Sequence, residues 1–286
     1  MSPKDQDREA SLTLPAPTFE AASIAQRGAL AAETRRCVPE EIAIAFTYNG
    51  TTHAVMMATP CDLEDFAVGF SMTEGVIAAP SDIDSIEVIT TPLGVEVQMW
   101  LKDESAKTYL GRKRNMAGPT GCGLCGIESL EAAMRPLPKV TRPAWRLTPQ
   151  AVVAAMASLE PAQSLNAATH AVHAAGFWTE AEGLVALRED VGRHNALDKL
   201  AGALARSGRN ASTGMIVMTS RVSIELIQKA ARFDAPVLAA VSAPTAAAIR
   251  LAEESGMTLI GVARRQDFEI FTHPDKIFSE TPRHVA

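Results

Sequence analysis

Residues 215–262 read MIVMTSRVSIELIQKAARFDAPVLAAVSAPTAAAIRLAEESGMTLIGV, and their rhythm decides the fold. Three short apolar runs, 215–218, 237–241 and 258–262, have the length and the continuous apolar character of buried strands. Between them, 223–231 and 244–254 repeat their apolar residues at helical spacing, and Gly256 supplies a stop. A last strand is expected over 268–271. Strands alternating with helices imply a mostly parallel or mixed sheet covered on both faces.

Working back from this stretch, 195–206 forms a helix with Leu197, Leu200 and Leu204 on its buried face. Phe177-Trp178 and residues 184–187 form the arms of a hairpin. Thr148-Pro149 opens one helix, and another covers about 165–173.

The first half has a different pattern. Ile42, Ile44 and Phe46 alternate, Asn49-Gly50 gives a type I′ turn signal, and His53, Val55 and Met57 continue beyond it as a hairpin. Thr59 caps the next helix, with Pro60 at its first position and Asp62 at its third. Leu63, Phe66, Ala67 and Phe70 share one face, and Gly75 ends it. A second hairpin runs through 86–89, turns at Pro92-Leu93-Gly94 and returns through 95–101. The expected class is therefore α/β, α+β overall. A tail over 1–30 lacks hydrophobic period. A small α+β domain covers 31–111, a mobile Gly-rich loop and linker 112–143, and an α/β domain 144–280.

The chain has 286 residues, of which 47% are hydrophobic and only 5% aromatic, an ordinary globular make-up. A net charge of −6 argues against nucleic acid or an anionic membrane as the bulk partner. The polar start lacks a secretory apolar stretch and no run is long enough to span a bilayer, so a cytoplasmic location is expected. There thiols stay reduced, and four cysteines are a poor disulfide framework.

Chemistry concentrates at Gly121-Cys122-Gly123-Leu124-Cys125-Gly126. Glycines give this loop reach, and Arg112-Lys113-Arg114 nearby would favour a thiolate able to carry a persulfide. Three other readings compete. A thioredoxin motif expects the pair at a helix start directly after a strand. A zinc site would draft His170 and His173, at a spacing outside the finger pattern. A buried turn has little to bury the pair against between glycines. Cys37 and Cys61 have no motif around them and read as core filler.

A second cluster, Glu189-Asp190-Val191-Gly192-Arg193-His194-Asn195 followed by Asp198 and Lys199, lies where a strand ends and a helix begins. Free N–H groups there, with Arg193 and His194, suit an anion. Capping by Asp190 or Asn195 with a surface ion pair suits the same residues. A third group is spread over Ser220-Arg221-Val222-Ser223, Ser242-Ala243-Pro244-Thr245 and Arg264-Arg265, each following a strand. Ligands of open α/β sheets bind beyond the carboxyl ends of strands, so the group suits a phosphorylated or nucleotide-like ligand.

The strings at 121–126, 189–200 (EDVGRHNALDKL) and 241–245 (VSAPT), with Thr73-Glu74-Gly75 and Thr272-His273-Pro274, together resemble the formate dehydrogenase accessory sulfurtransferase family, FdhD. The resemblance covers about 40–278. It implies a sulfurtransferase that takes sulfur from a cysteine desulfurase and passes it to the molybdenum bis(molybdopterin guanine dinucleotide) cofactor, for the formate dehydrogenase catalytic subunit. It implies Cys122 as the persulfide carrier, Cys125 as its companion and a homodimer, with no structural metal. The segment Val262, Ala263, Arg264, Arg265, Gln266 and Asp267 falls where the family contacts the cofactor. It departs from the family's aromatic start and basic end. A cytidine-deaminase-like second domain is also implied. Deaminase chemistry needs H-x-E and P-C-x-x-C, and this sequence has neither.

Overall fold

The three apolar runs lie side by side as the parallel centre of a six-stranded sheet in the computed structural model, which describes residues 13–106 and 137–277. These strands are β9 (Met215–Met218), β10 (Val237–Ala240) and β11 (Thr258–Arg264). Antiparallel β12 (Asp267–Ile270) closes one side, and the hairpin of β7 (His173–Thr179) and β8 (Gly183–Asp190) closes the other, in the order β12-β11-β10-β9-β7-β8.

Strand alternation sends side chains into two cores. Ile216 and Met218 meet α5 (Arg193–Arg206), α6 (Ile224–Arg232) and α7 (Ala246–Ser255) on one face. Met215 and Val217 meet α2 (Pro149–Ala157) and the helical turn α3 (Leu159–Ala162) on the other. Both faces are covered, which is why the strands read as unbroken apolar runs rather than as alternation. Thr148 caps α2 and Thr245 caps α7 through their hydroxyls, and Gly256 at φ 81 ends α7.

The first half is a four-stranded sheet of order β4-β3-β6-β5, built from β3 (Ile42–Tyr48), β4 (Thr51–Ala58), β5 (Ile83–Thr91) and β6 (Gly94–Leu101). Helix α1 (Leu63–Thr73) lays Phe66 and Phe70 on it against Phe46. Asn49 and Gly50 both take positive φ, as the type I′ turn requires. β3 also pairs in parallel with β6, a contact across two hairpins that no local pattern signals.

Several local expectations change. Residues 18–27, placed in a loose tail, form β1 (Thr18–Arg27), which pairs antiparallel with β2 (Leu30–Pro39). Most of both strands is exposed, so no apolar period exists to betray them. The boundary set at residue 30 thus falls at the turn of a ribbon. In β4 a register shift after Phe46 moves the alternation by one, burying Ala54, Met56 and Ala58 and exposing Val55 and Met57.

Helix α1 starts at Leu63 with Asp62 preceding it, and Thr59 is spent elsewhere. The helix expected over 165–173 is α4 (Ser164–Thr169). His170 turns out of it at φ 54, and His173 opens β7. Residues 137–143 have no regular structure but are docked: Val140 N–H donates to Ser255 O and Thr141 N–H to Asp234 Oδ1. Among the described residues no helix is long and apolar enough to cross a membrane.

Helices α1 and α5 join the two halves at van der Waals limit. A Cβ on Gly69 would lie 1.7 Å from Asp198 O, and one on Gly202 would lie 1.9 Å from Asp65 O. Around this crossing Asp65 accepts from Arg188 Nε at 2.9 Å and from Arg206 Nη1 at 2.5 Å.

Candidate functional site

Parallel strands β9, β10 and β11 deliver their carboxyl ends to one edge of the sheet. The start of β7 and the end of β8 reach the same edge, because His173 pairs with Asp190 and Ala174 N–H donates to Thr219 Oγ1. A continuous series of contacts ties the loops together. Val222 bridges Pro244, Thr245 N–H donates to Val222 O at 2.9 Å, and Arg264 Nε donates to Val241 O at 3.1 Å.

The sequence-named residues divide along this edge. Ser220 is buried and its hydroxyl donates to Arg221 O, while the Arg221 side chain is exposed. Ser242 is half-buried and its carbonyl accepts from Val262 N–H. Arg264, Arg265, Gln266 and Asp267 are exposed around the β11–β12 turn, where Val262 and Arg265 take φ of 52 and 57. Ala263 points into the core.

The 189–200 string does a different job from the one its charges suggest. Glu189 accepts the N–H groups of Leu165 and Asn166 and so caps α4. Asp190 is fully buried, pairs with buried Lys199 at 2.7 Å, and accepts from Thr59 N–H, Gly192 N–H and Asn195 Nδ2. Lys199 also donates to Thr59 O, and Asn195 donates to Met57 O. Asp198 accepts from Thr73 Oγ1 at 2.6 Å and from Lys229 at 2.9 Å, and Lys229 reaches Glu74 as well. Burial opposes the Lys229 charge, but Asp198 and Glu74 outweigh it and hold the ammonium above its usual pKa. Most of the string is therefore a buried strut between the halves, and Thr73-Glu74 is its other end.

Arg193 and His194 remain at the edge. His194 Nε2 stands 3.4 Å from Ser223 Oγ and 3.6 Å from Glu225 Oε2. The contact with His194 is the main reason the Glu225 carboxyl falls from 4.5 to about 2. Burial and the Arg193 cation hold the neighbouring His173 imidazole below its ordinary pKa.

A carboxyl depressed in the folded state adds stability that is complete above its unfolded pKa and is lost as pH falls through the folded one. Wild type and Glu225→Gln are therefore expected to differ most above pH 4.5 and to converge near pH 2. Urea midpoints across that window check it. A gap that widened toward pH 2 would contradict the pairing.

The comparisons with known proteins bear on this geometry. The model of the FdhD/NarQ family matches residues 39–278. The chain belongs to the FdhD/NarQ family. It is 53% identical over 256 residues to the sulfur carrier protein FdhD of Agrobacterium fabrum, covering 90% of this chain and 94% of that one. It is 49% identical over 252 residues to the sulfur carrier protein FdhD of Xanthomonas campestris pv. campestris, covering 88% and 89%. In fold it is similar to the crystal structure of a candidate formate dehydrogenase accessory protein from Desulfotalea psychrophila. That likeness has a TM-score of 0.73 at 22% identity, over 92% of this chain and all of that one.

In this FdhD/NarQ member, Cys122, Cys125 and the Arg112-Lys113-Arg114 run lie outside the described residues. Cys37 and Cys61 are half-buried, and burial pushes the Cys61 thiol up to about 11 despite Lys199 nearby, which makes it a poor nucleophile. His170 and His173 are separated by the turn out of α4. Sequence reasoning missed Lys229 and Glu225 and gave Thr59 only a helix-capping role. Lys229 had a signal, since it falls at helical spacing on the same face as Leu226 and Ala230, which are apolar and buried. Thr59 had none, because its partners lie about 130 positions away.

Proposed function

We propose that the chain is a cytoplasmic sulfurtransferase that matures formate dehydrogenase. The Cys122 thiolate attacks the outer sulfur of a persulfide on a cysteine desulfurase. The donor S–S bond breaks, the donor cysteine leaves as thiolate, and Cys122 carries the sulfane sulfur with no net oxidation. Cys125 shields or helps discharge it. The recipient is molybdenum in the bis(molybdopterin guanine dinucleotide) cofactor, the cargo, on its way to the formate dehydrogenase catalytic subunit. The working form is a homodimer, and the second domain is cytidine-deaminase-like in fold without deaminase chemistry.

The observation that carries the reading is the sheet edge. Three parallel strands end there together, with the Ser220 and Ser242 segments, the Arg221 and Arg264 guanidiniums and the start of α5 along it. Such an edge suits the phosphates of a dinucleotide. The relatives named sulfur carrier protein FdhD support the sulfur half of the reading.

Intact mass after incubation with a cysteine desulfurase and cysteine tests it. A reducible gain of about 32 Da, one sulfur, is expected in wild type and absent in Cys122→Ala. The same variant is expected to leave cells without formate dehydrogenase activity. No gain, with guanine nucleotide binding intact, would instead make the chain a cofactor carrier without sulfur chemistry.

A further inference from the structure

Most of the ribbon formed by β1 and β2 packs on nothing else among the described residues. Its base is held: Cys37, Val38 and Pro39 are half-buried, β2 meets α4, and Glu40 N–H donates to Pro17 O. Beyond the base, residues 30–36 are all exposed. Among the described residues β2 pairs only with β1, so no strand lies along its outer edge. A two-stranded ribbon is marginal by itself in water, and a long open edge is a template for a further strand. Phe19, Ile24 and Leu30 stand 58, 74 and 77% exposed on this ribbon.

The charges of β2 decide which strand fits. Within the ribbon Glu33 lies opposite Ile24, Arg35 opposite Ala22 and Arg36 opposite Ala21, and none of the three has an ion pair among the described residues. Directly opposite residues of an antiparallel pair share a face, so a two-fold axis sets residues of equal parity against each other. An axis at Glu33 or at Arg35 would bring like charges together. An axis at Thr34 sets Glu33 against Arg35 of the partner subunit, and Arg35 against Glu33 of the partner subunit. It also sets Leu30, the most exposed large apolar side chain of the ribbon, against Val38 of the partner subunit. Strand β1 offers no such match, because its two charges, Glu20 and Arg27, differ in parity and point to opposite faces.

We propose that β2 is the edge through which two copies of this chain join, antiparallel about a two-fold axis at Thr34, merging their ribbons into one four-stranded sheet. This interface rests on the homodimer proposed above.

Charge reversal tests it, with dimerisation of the full chain read by analytical ultracentrifugation at low ionic strength, where exposed pairs are least screened. Glu33→Arg and Arg35→Glu are each expected to weaken the dimer about tenfold, since the two-fold axis repeats each changed contact. Glu33→Arg combined with Arg35→Glu exchanges the two charges and is expected to recover nearly all of the wild-type affinity. Circular dichroism and melting of each variant confirm folding. A wild-type dimer indifferent to the single reversals, or losses that persist in the combined variant, would overturn the β2 interface and leave the homodimer standing. A folded wild type that stays monomeric at every concentration measured would overturn both.

Discussion

Gly202→Val is expected to prevent the chain from reaching its native state. Glycine inside a helix is ordinarily a weakness of about 1 kcal/mol relative to alanine, so a larger residue at a free helical site is neutral or helpful. At Gly202 the new Cβ would meet the backbone carbonyl of Asp65 at 1.9 Å, and at Gly69 that of Asp198 at 1.7 Å. Neither obstacle is a side chain that can swing away. Helices α1 and α5 would have to separate by more than an ångström. The 2.6 Å contact from Thr73 to Asp198 and the ion pair of Arg206 with Asp65 do not survive that. Loss of the crossing together with its polar contacts is expected to cost more than about 4 kcal/mol. Denaturant unfolding and limited proteolysis measure it. Gly208→Ala is the comparison: Gly208 has φ 68 and open space around it, so only the backbone preference of about 1 kcal/mol is at stake. If Gly202→Val melted within a few degrees of wild type, the close crossing would not be what joins the halves.

The second large effect is expected at Asp190. Its carboxylate is fully buried and serves Lys199, two backbone N–H groups and Asn195 at once. Asp190→Ala leaves an ammonium buried without its counter-ion and those donors without an acceptor. Breaking a buried pair from one side costs about 3–5 kcal/mol, whereas replacing both partners by groups of similar volume is often close to neutral. Asp190→Asn with Lys199→Met keeps an acceptor for one of the two backbone donors and fills the lysine channel. It is expected to be more stable than Asp190→Ala by about 2 kcal/mol. Guanidinium unfolding of the two variants decides between them. If Asp190→Ala cost under about 1 kcal/mol, the strut would be ornamental and the string would have to be explained by ligand contacts instead.

The two predictions bear on how the string was read. From residues alone, EDVGRHNALDKL is a strand end, a helix start and a run of charges, equally suited to an anion or to caps. The tertiary structure divides it: Glu189, Asp190, Asn195, Asp198 and Lys199 brace the two halves, and only Arg193 and His194 stay at the edge.

What the chain's own residues determined is the local architecture. Apolar runs of four or five residues set β9, β10 and β11, Asn49-Gly50 set the first turn, and Gly75 and Gly256 ended their helices. Each of these rests on interactions within a few residues, which a sequence displays directly. The ribbon of β1 and β2 escaped because solvent lies along most of it, so no apolar alternation records it. The β3–β6 pairing, the α1–α5 crossing and the fate of every charge in the string were decided only in three dimensions. A carboxylate such as Asp190 is the same letter whether it is solvated or buried. What separates the two is Thr59, 131 positions earlier, and the fold alone brings it within 3.0 Å.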